Sequence, residues 1–588
     1  MASSTFHATP KPSSRTGADI ATTPAMADVA LLLEGTFPYV RGGVSSWVDQ
    51  LIRAFPDLTF SVVFIGSRRE DYGAPVYPLP ANVTHFEAHY LYETDVSSAT
   101  PTDVEDARAA SRRSAGDADV FARIARMHDL FRQRYESRSG GAADAGNAGN
   151  AGNAGNAGNA GNAEGADVAG YMKVDGLRSM LEHLLPLLRD GQPLSPSAFL
   201  HSERSWEFIT ERYERFCHDP SFTDYFWTIR AMHRPIWQLA RIANALPPAR
   251  MYHTVSTGYA GLLGAMLRMA NGRALLVTEH GSYTKERKLD LLQSEWLRDN
   301  RGPFERDISR VGYFQNLWMR FFEAIGRICY DTANEIVSLY EGNRLRQIGD
   351  GAPAHKTRCI ANGVDIARFA ALREKRRKGG GGVADDDIPP VVALIGRVVP
   401  VKDIKTFLRA LFIAYRARPD VQGWIVGPDT EDRAYAQECR DLAASLGMEY
   451  QVRFMGYRAV ESVLPQIGVL ALSSVSEALP LVMLEAAAAG VPVVATDVGA
   501  CRQLIEGGDP EDRALGRSGR IVPMADPEAL AAAIVDVMEP SAWQAASVAG
   551  IARVERHYRL DTVRDAYRTL YRRWMDEDGT PGTPGGER

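Results

Sequence analysis

The segment Val391-Val-Ala-Leu-Ile-Gly396-Arg397-Val-Val-Pro-Val-Lys402-Asp403 opens the most regular part of the chain. It begins as a run apolar on both faces, stops at a glycine, and gives way from Asp403 to Arg416 to apolar residues at helical spacing. A strand buried in a parallel sheet needs such a run. The unit then repeats. Gln422–Val426, Val452–Met455, Val469–Leu472 and Pro492–Thr496 are apolar runs, and Ala434–Ser445 is a helical segment between two of them. Repeated βα units predict a doubly wound sheet with helices on both faces over 391–560.

The same alternation lies upstream. Val29–Leu33 and Phe60–Ile65 are strand-like, with a helical segment at Ser45–Ala54 between them. It resumes at Tyr252–Val255, Leu275–Thr278, Ile336–Leu339 and Arg358–Ile360. The stretch from about 100 to 248 is helical in pattern and rich in Arg, Trp and Tyr, and reads as an insertion. Residues 27–374 are thus expected to form a first Rossmann-like domain. Lys375–Pro390, with Arg376-Arg377-Lys378, four glycines, three aspartates and Pro389-Pro390, reads as a hinge linker. The expected class is α/β, two doubly wound domains facing a cleft, with a ligand at the carboxyl ends of the strands.

Low-complexity segments punctuate this plan. Six copies of Ala-Gly-Asn run from Ala145 to Asn162 inside a tract at 137–168. Residues 1–26 are rich in Ser, Thr, Ala and Pro without the apolar stretch of a secretory signal, and 578–588 is rich in Gly and Pro. All three read as unstructured.

The 588 residues would make about three or four domains at ~150 each. A net charge of −6 lacks the basic excess of a nucleic-acid or membrane-surface binder. The five cysteines (Cys217, Cys329, Cys359, Cys439 and Cys501) form no CxxC pair, which fits a reducing cytoplasm. No run approaches the ~18 apolar residues of a membrane helix.

Several common chemistries are absent as motifs. No GxGxxG follows an expected strand, and GxxxxGK[ST], HExxH and GxSxG do not occur. Asp385-Asp386-Asp387 sits in the expected linker and reads as a solvated charge cluster, not a metal site. Four constellations remain, each at the end of an expected strand. Arg41-Gly42-Gly43 opens a helix, where backbone N–H groups and the helix dipole suit an anion; a plain turn is the bland alternative. Glu279-His280-Gly281 puts a histidine at a strand's carboxyl end, where a structural histidine is an equal reading. Arg397 and Lys402 flank a strand–helix turn and could converge on one diphosphate. Glu477 precedes, and Glu485 falls in the second turn of, a helix beginning near Pro480.

Together these features resemble the family-4 retaining glycosyltransferases of the GT-B fold. The shared signature is Gly42-Gly43, Arg397-x4-Lys402 and Glu477-x7-Glu485-Ala486, with Asn362-Gly-Val-Asp365 and Phe369 before the linker. The stretches Leu33–Trp47 and Thr278–Thr284 are closer still to the PelF glycosyltransferases of Pel-type exopolysaccharide systems. The resemblance implies that Gly42 and Gly43 cradle donor phosphate and that Arg397 and Lys402 neutralise the departing nucleoside diphosphate in place of a metal. It implies His280 beside the anomeric carbon, Glu477 on the sugar hydroxyls, Glu485 on the ribose, and Leu481 and Val482 beside the donor. The donor would be a UDP-hexose, UDP-glucose or UDP-N-acetylgalactosamine, with no further cofactor, and the acceptor a growing polysaccharide. It also implies a helix at about Asp561–Trp574 crossing back to the first domain, and contacts with inner-membrane synthase or export subunits. Glu477-Ala478-Leu479-Pro480 replaces the Glu-Gly-Phe-Gly of many members.

A glycosyltransferase-like scaffold without activity is the alternative from another class; retention of both glutamates, Arg397, Lys402 and His280 speaks against it. A sugar phosphorylase would need a pyridoxal-phosphate lysine, for which no motif stands out.

Overall fold

The computed structural model describes residues 26–92, 174–188, 202–217, 220–293, 312–379 and 388–576, with isolated positions at 121–122, 124–125, 192 and 194–195. Two parallel sheets organise them. The first holds β1 (Ala27–Glu34), β2 (Phe60–Gly66), β3 (Val83–Tyr90), β4 (Ala249–Thr254), β5 (Ala274–Glu279), β6 (Glu335–Ser338) and β7 (Thr357–Cys359), in the order β3-β2-β1-β4-β5-β6-β7. The second holds β8 (Val391–Ile395), β9 (Gln422–Val426), β10 (Val452–Gly456), β11 (Val469–Leu472), β12 (Val493–Thr496) and β13 (Gly519–Val522), in the order β10-β9-β8-β11-β12-β13. In both, the order reverses beside the first strand, between β1 and β4 and between β8 and β11, which opens a crevice at the carboxyl ends. The expected apolar runs are all strands; β3 and β13 are additional.

The apolar runs work as expected because each sheet has cores on both faces. Val29, Leu31 and Leu33 pack with Trp47 and Phe55 on one side of the first sheet, while Ala30 and Leu32 face the other. That second side is covered by helices Phe222–Ala245, Tyr259–Asn271 and Tyr313–Thr332. In the expected insertion, helices Val174–Leu184, Glu203–Phe216 and Phe222–Ala245 are described; Ser202 and Ser221 cap the last two by accepting from the amides of Ser205 and Asp224. In the second half, Val392 and Leu394 face helix Ile404–Ala417, and Val391 and Ala393 face the core that includes Met483 and Leu484.

The expected hinge at 375–390 needs correction. Helix Ile366–Gly379 runs through its first five residues, because Ala370–Lys378 is a run of good helix formers. That helix packs on the second half, against helix Leu481–Ala488, with Phe369 buried in the second core. The first domain therefore ends before residue 366, not at 374. The crossing lies at Val364, whose amide donates to Tyr558 O at 2.8 Å, while Leu560 N donates back to Val364 O at 3.0 Å. Beyond it, helix Leu560–Asp576 returns to the first sheet. There the Tyr571 hydroxyl lies 2.8 Å from His253 Nδ1, Arg568 pairs with Asp57 at 2.6 Å, and Trp574 Nε1 donates to Glu335 at 3.2 Å. The two crossings thus run side by side, joined as a parallel bridge between Val364 and Arg559. Residues 1–25, the Ala-Gly-Asn tract at 137–168, residues 380–387 and the tail at 578–588 lie outside the described residues.

Candidate functional site

A cleft of about 1870 Å³ separates the two sheets and is lined from both. Every candidate from the sequence borders it: Gly42, Gly43, His280, Arg397, Lys402, Glu477, Leu481, Val482 and Glu485.

On the second half, β8 ends at Gly396 and the chain turns through Pro400–Lys402 into helix Ile404–Ala417. Asp403 caps that helix in a left-handed conformation (φ 43°), accepting from Thr406 N at 3.3 Å. The Ser473 hydroxyl, at the end of β11, lies 2.9 Å from both Lys402 O and Asp403 O, which ties the turn to the neighbouring strand. The Lys402 ammonium donates to Glu477 Oε1 at 2.5 Å, and the Ser474 hydroxyl donates to the same oxygen at 2.6 Å. Gly499 (φ +55°) lets the next loop pass under Glu477: a β-carbon there would meet Glu477 O at 2.2 Å. Arg397 places one guanidinium nitrogen against both oxygens of Glu431, at 2.6 and 2.8 Å. Each expected phosphate-binding cation therefore already has a carboxylate partner.

Pro480 (φ −65°) precedes helix Leu481–Ala488, whose first residues Leu481 and Val482 border the cleft. Glu485 is in the second turn; burial pushes its carboxyl up, and Arg368 acts in the opposite direction.

On the first half, Gly42 caps helix Gly43–Ala54 without a side-chain hydrogen bond, and there is open space around both glycines. His280 follows β5 directly, edge-on to Trp47 at 4.5 Å between ring centres. Burial pulls its imidazole down to about 3, so the ring is neutral, and its Nε2 has no hydrogen-bond partner among the described residues. Beside it, Glu34 at the end of β1 accepts from the Tyr283 hydroxyl at 2.8 Å, Ser256 at 3.3 Å and Ala260 N at 3.2 Å. Across the mouth, Arg41 lies over the Tyr457 ring at 4.0 Å and so connects the halves.

The residues the sequence did not single out for this site are Glu431, Arg368, Glu34, Glu286 and Tyr457. Glu34 stands inside the stretch that carries Gly42-Gly43; the others lie on loops or helix faces with no motif, and only spatial proximity reveals them. Among the described residues no group of three or more His, Cys, Asp or Glu is placed to hold a metal ion, and no helix is long and apolar enough to cross a membrane. Chemically, the site offers two acid-paired cations and a helix N-terminus on one wall, and a neutral imidazole with a hydrogen-bonded carboxylate on the other. That set suits an anionic, hydroxyl-rich ligand.

Comparison with known proteins gives three findings. Residues 27–355 match the family model described as a domain of unknown function (DUF3492), and residues 389–540 match glycosyl transferases group 1. A D-inositol 3-phosphate glycosyltransferase of Streptomyces avermitilis is 30% identical over 43% of this chain and 53% of its own length. A lipopolysaccharide core biosynthesis mannosyltransferase of Rhizobium meliloti is 31% identical over 37% of this chain and 60% of its own. The chain thus spans about half the length of the curated relatives it matches. The solved structure of a sucrose-phosphate synthase from Thermosynechococcus elongatus aligns with a TM-score of 0.50 at 17% identity, over 93% of this chain and 98% of that one. The two facing Rossmann-like domains are the GT-B fold.

Proposed function

Since the chain belongs to the family described as a domain of unknown function (DUF3492) and carries a glycosyl transferases group 1 domain behind it, we propose that it is a retaining glycosyltransferase. It takes a hexosyl unit from a nucleotide sugar, UDP-glucose or UDP-N-acetylgalactosamine, and adds it to a growing exopolysaccharide, in the manner of the PelF enzymes of biofilm-forming Pel systems. The observation that carries this reading is the meeting of both crevices in one cleft, with Arg397, Lys402, Glu477 and Glu485 along the second-half wall.

In this reading the donor diphosphate takes the place of Glu431 on Arg397 and shares Lys402. The bond from the anomeric carbon to phosphate oxygen breaks on the face where the acceptor oxygen bonds. The departing phosphate accepts the acceptor's proton, and the fixed cations stabilise its charge without a metal. His280, neutral, offers a hydrogen bond beside the anomeric carbon, Glu477 and Glu485 hold sugar and ribose hydroxyls, and closure about the crossing excludes water. A cytoplasmic location and docking to inner-membrane synthase or export subunits belong to the same proposal.

Product analysis with a panel of nucleotide sugars tests it. The expected result is transfer from one UDP-hexose with anomeric configuration retained, abolished in Arg397→Ala. Failure of the wild-type chain to bind UDP in calorimetry would instead favour a scaffold.

A further inference from the structure

Helix Tyr283–Gln293 begins just after His280 and forms part of the first-half wall of the cleft. Glu286 in its first turn lines the cleft with an exposed side chain. Its carboxylate is seated against Gly281: a β-carbon on that glycine would stand 2.2 Å from Glu286 Oε1. A side chain at the residue after His280 would displace this carboxylate.

The neighbouring acids all have partners. Glu279 accepts from Thr257, Tyr283 N, Tyr330 and Gln347. Glu34 is held by Tyr283, Ser256 and Ala260, and Asp290 lies 3.5 Å from Arg287. The Glu286 carboxylate, among the described residues, receives neither a hydrogen bond nor an ion pair. The protein packed around it, with Glu279 and Asp290, pushes its carboxyl up to about 7, against Arg287 and Lys285. Near neutral pH such a group both accepts and donates hydrogen bonds. With its acidic neighbours held by protein partners, the exposed Glu286 carboxyl is left open toward the cleft, where it can meet a ligand.

Phosphate is a poor candidate for that ligand, because an unpaired carboxylate repels it and the cations Arg397 and Lys402 stand on the opposite wall. Saccharide hydroxyls fit, since they donate to a carboxylate in charge-assisted bonds. Leu289, 42% exposed and also lining the cleft, supplies an apolar neighbour of the kind a pyranose face packs on.

We propose that Glu286 is an acceptor-recognition residue, whose carboxylate binds a hydroxyl of the acceptor saccharide beside His280. The proposal rests on the glycosyltransferase reading and adds to it the residue that selects the acceptor.

Saturation-transfer NMR on the full chain loaded with UDP, with glucose, N-acetylgalactosamine and cellobiose as probes, reads this contact directly. In the wild type at least one probe receives transfer. In Glu286→Ala its affinity falls about tenfold or more, the size of a lost charge-assisted hydrogen bond, and in the near-isosteric Glu286→Gln by less. The UDP affinity of both variants, measured by calorimetry as the check on folding, stays within about twofold of wild type. Should Glu286→Ala fail to fold, Glu286→Gln carries the test. No saccharide contact in the UDP-loaded wild type, or equal saccharide affinity in the wild type and the folded variants, overturns the proposal. Absence of UDP binding by the wild type overturns the glycosyltransferase reading and this inference with it.

Discussion

Lys402 and Glu477 are bonded to one another, ammonium to carboxylate at 2.5 Å, although the turn and the loop that carry them belong to different βα units. The pair is only partly open to water, at 21% and 11% of the side chains. Lys402→Met leaves Glu477 with the Ser474 hydroxyl alone, at a cost of about 1–2 kcal/mol, between the values for exposed and buried pairs. Thermal unfolding should show that loss, and Lys402→Met/Glu477→Gln should recover most of it. Transfer should fall by about 10²–10³ in both variants. A Lys402→Met protein with undiminished transfer would remove the lysine from the chemistry.

Glu431 and an incoming diphosphate compete for Arg397. The ion pair is largely solvated, with side chains 37% and 47% exposed, so its strength is of order 0–1 kcal/mol. Glu431→Gln should therefore tighten UDP binding in calorimetry by up to about fivefold, and Arg397→Ala should weaken it. Unchanged affinity in Arg397→Ala would mean that the diphosphate does not use Arg397.

His253 bridges Tyr571 and Thr278 with its two ring nitrogens, at 2.8 and 2.9 Å. Burial, and then His280, pull it from 6.5 to about 3. The folded chain keeps this ring neutral while the unfolded chain protonates it, so stability is present above pH 6.5 and is lost as pH falls toward 3. The slope approaches about 1.4 kcal/mol per pH unit. Urea unfolding should show His253→Gln about 1–2 kcal/mol less stable at pH 7, with a shallower decline down to pH 5. Parallel pH profiles for the two proteins would contradict this.

Arg41 over Tyr457 is a contact between halves at the mouth of the cleft. An exposed cation–π contact contributes about 0.5–1 kcal/mol, so Tyr457→Ala should shift the balance toward open forms by roughly two- to fivefold. Small-angle scattering should record a larger radius of gyration, and the donor KM should rise. Identical scattering curves would count against a role in closure.

How far the sequence could be read depended on how local each signal was. Strands β1 and β8 lie between two cores, so nearly every side chain is apolar and the run is conspicuous. Edge strand β3 alternates instead, and its His85, Glu87 and His89 share one face, bonded in a row at 2.7 and 2.8 Å; no continuous apolar run marks it. β13, only Gly519-Arg-Ile-Val522, is too short to register as a run. Arg397, Lys402, Glu477 and Glu485 were legible because each sits in a strand–turn–helix context that a short window contains. The partnership of Arg397 with Glu431 spans 34 positions, and nothing in either segment announces it. The linker was misread for a related reason: charge and glycine suggested exposure, but helix propensity carried helix Ile366–Gly379 through Lys375–Gly379, and that helix is anchored upstream by Phe369 in the second core.

The clasp at Val364 and Arg559 sets what the chain can tolerate in length. Helix Ile366–Gly379 and strand β8 both belong to the second half, so the glycine- and aspartate-rich run at 380–387 joins two parts of one body. A change of length there falls within the second half and does not pass through the crossing between the halves. A single residue added beside Val364 or Tyr558 would shift one of the two connections against the other and move the walls of the cleft out of register.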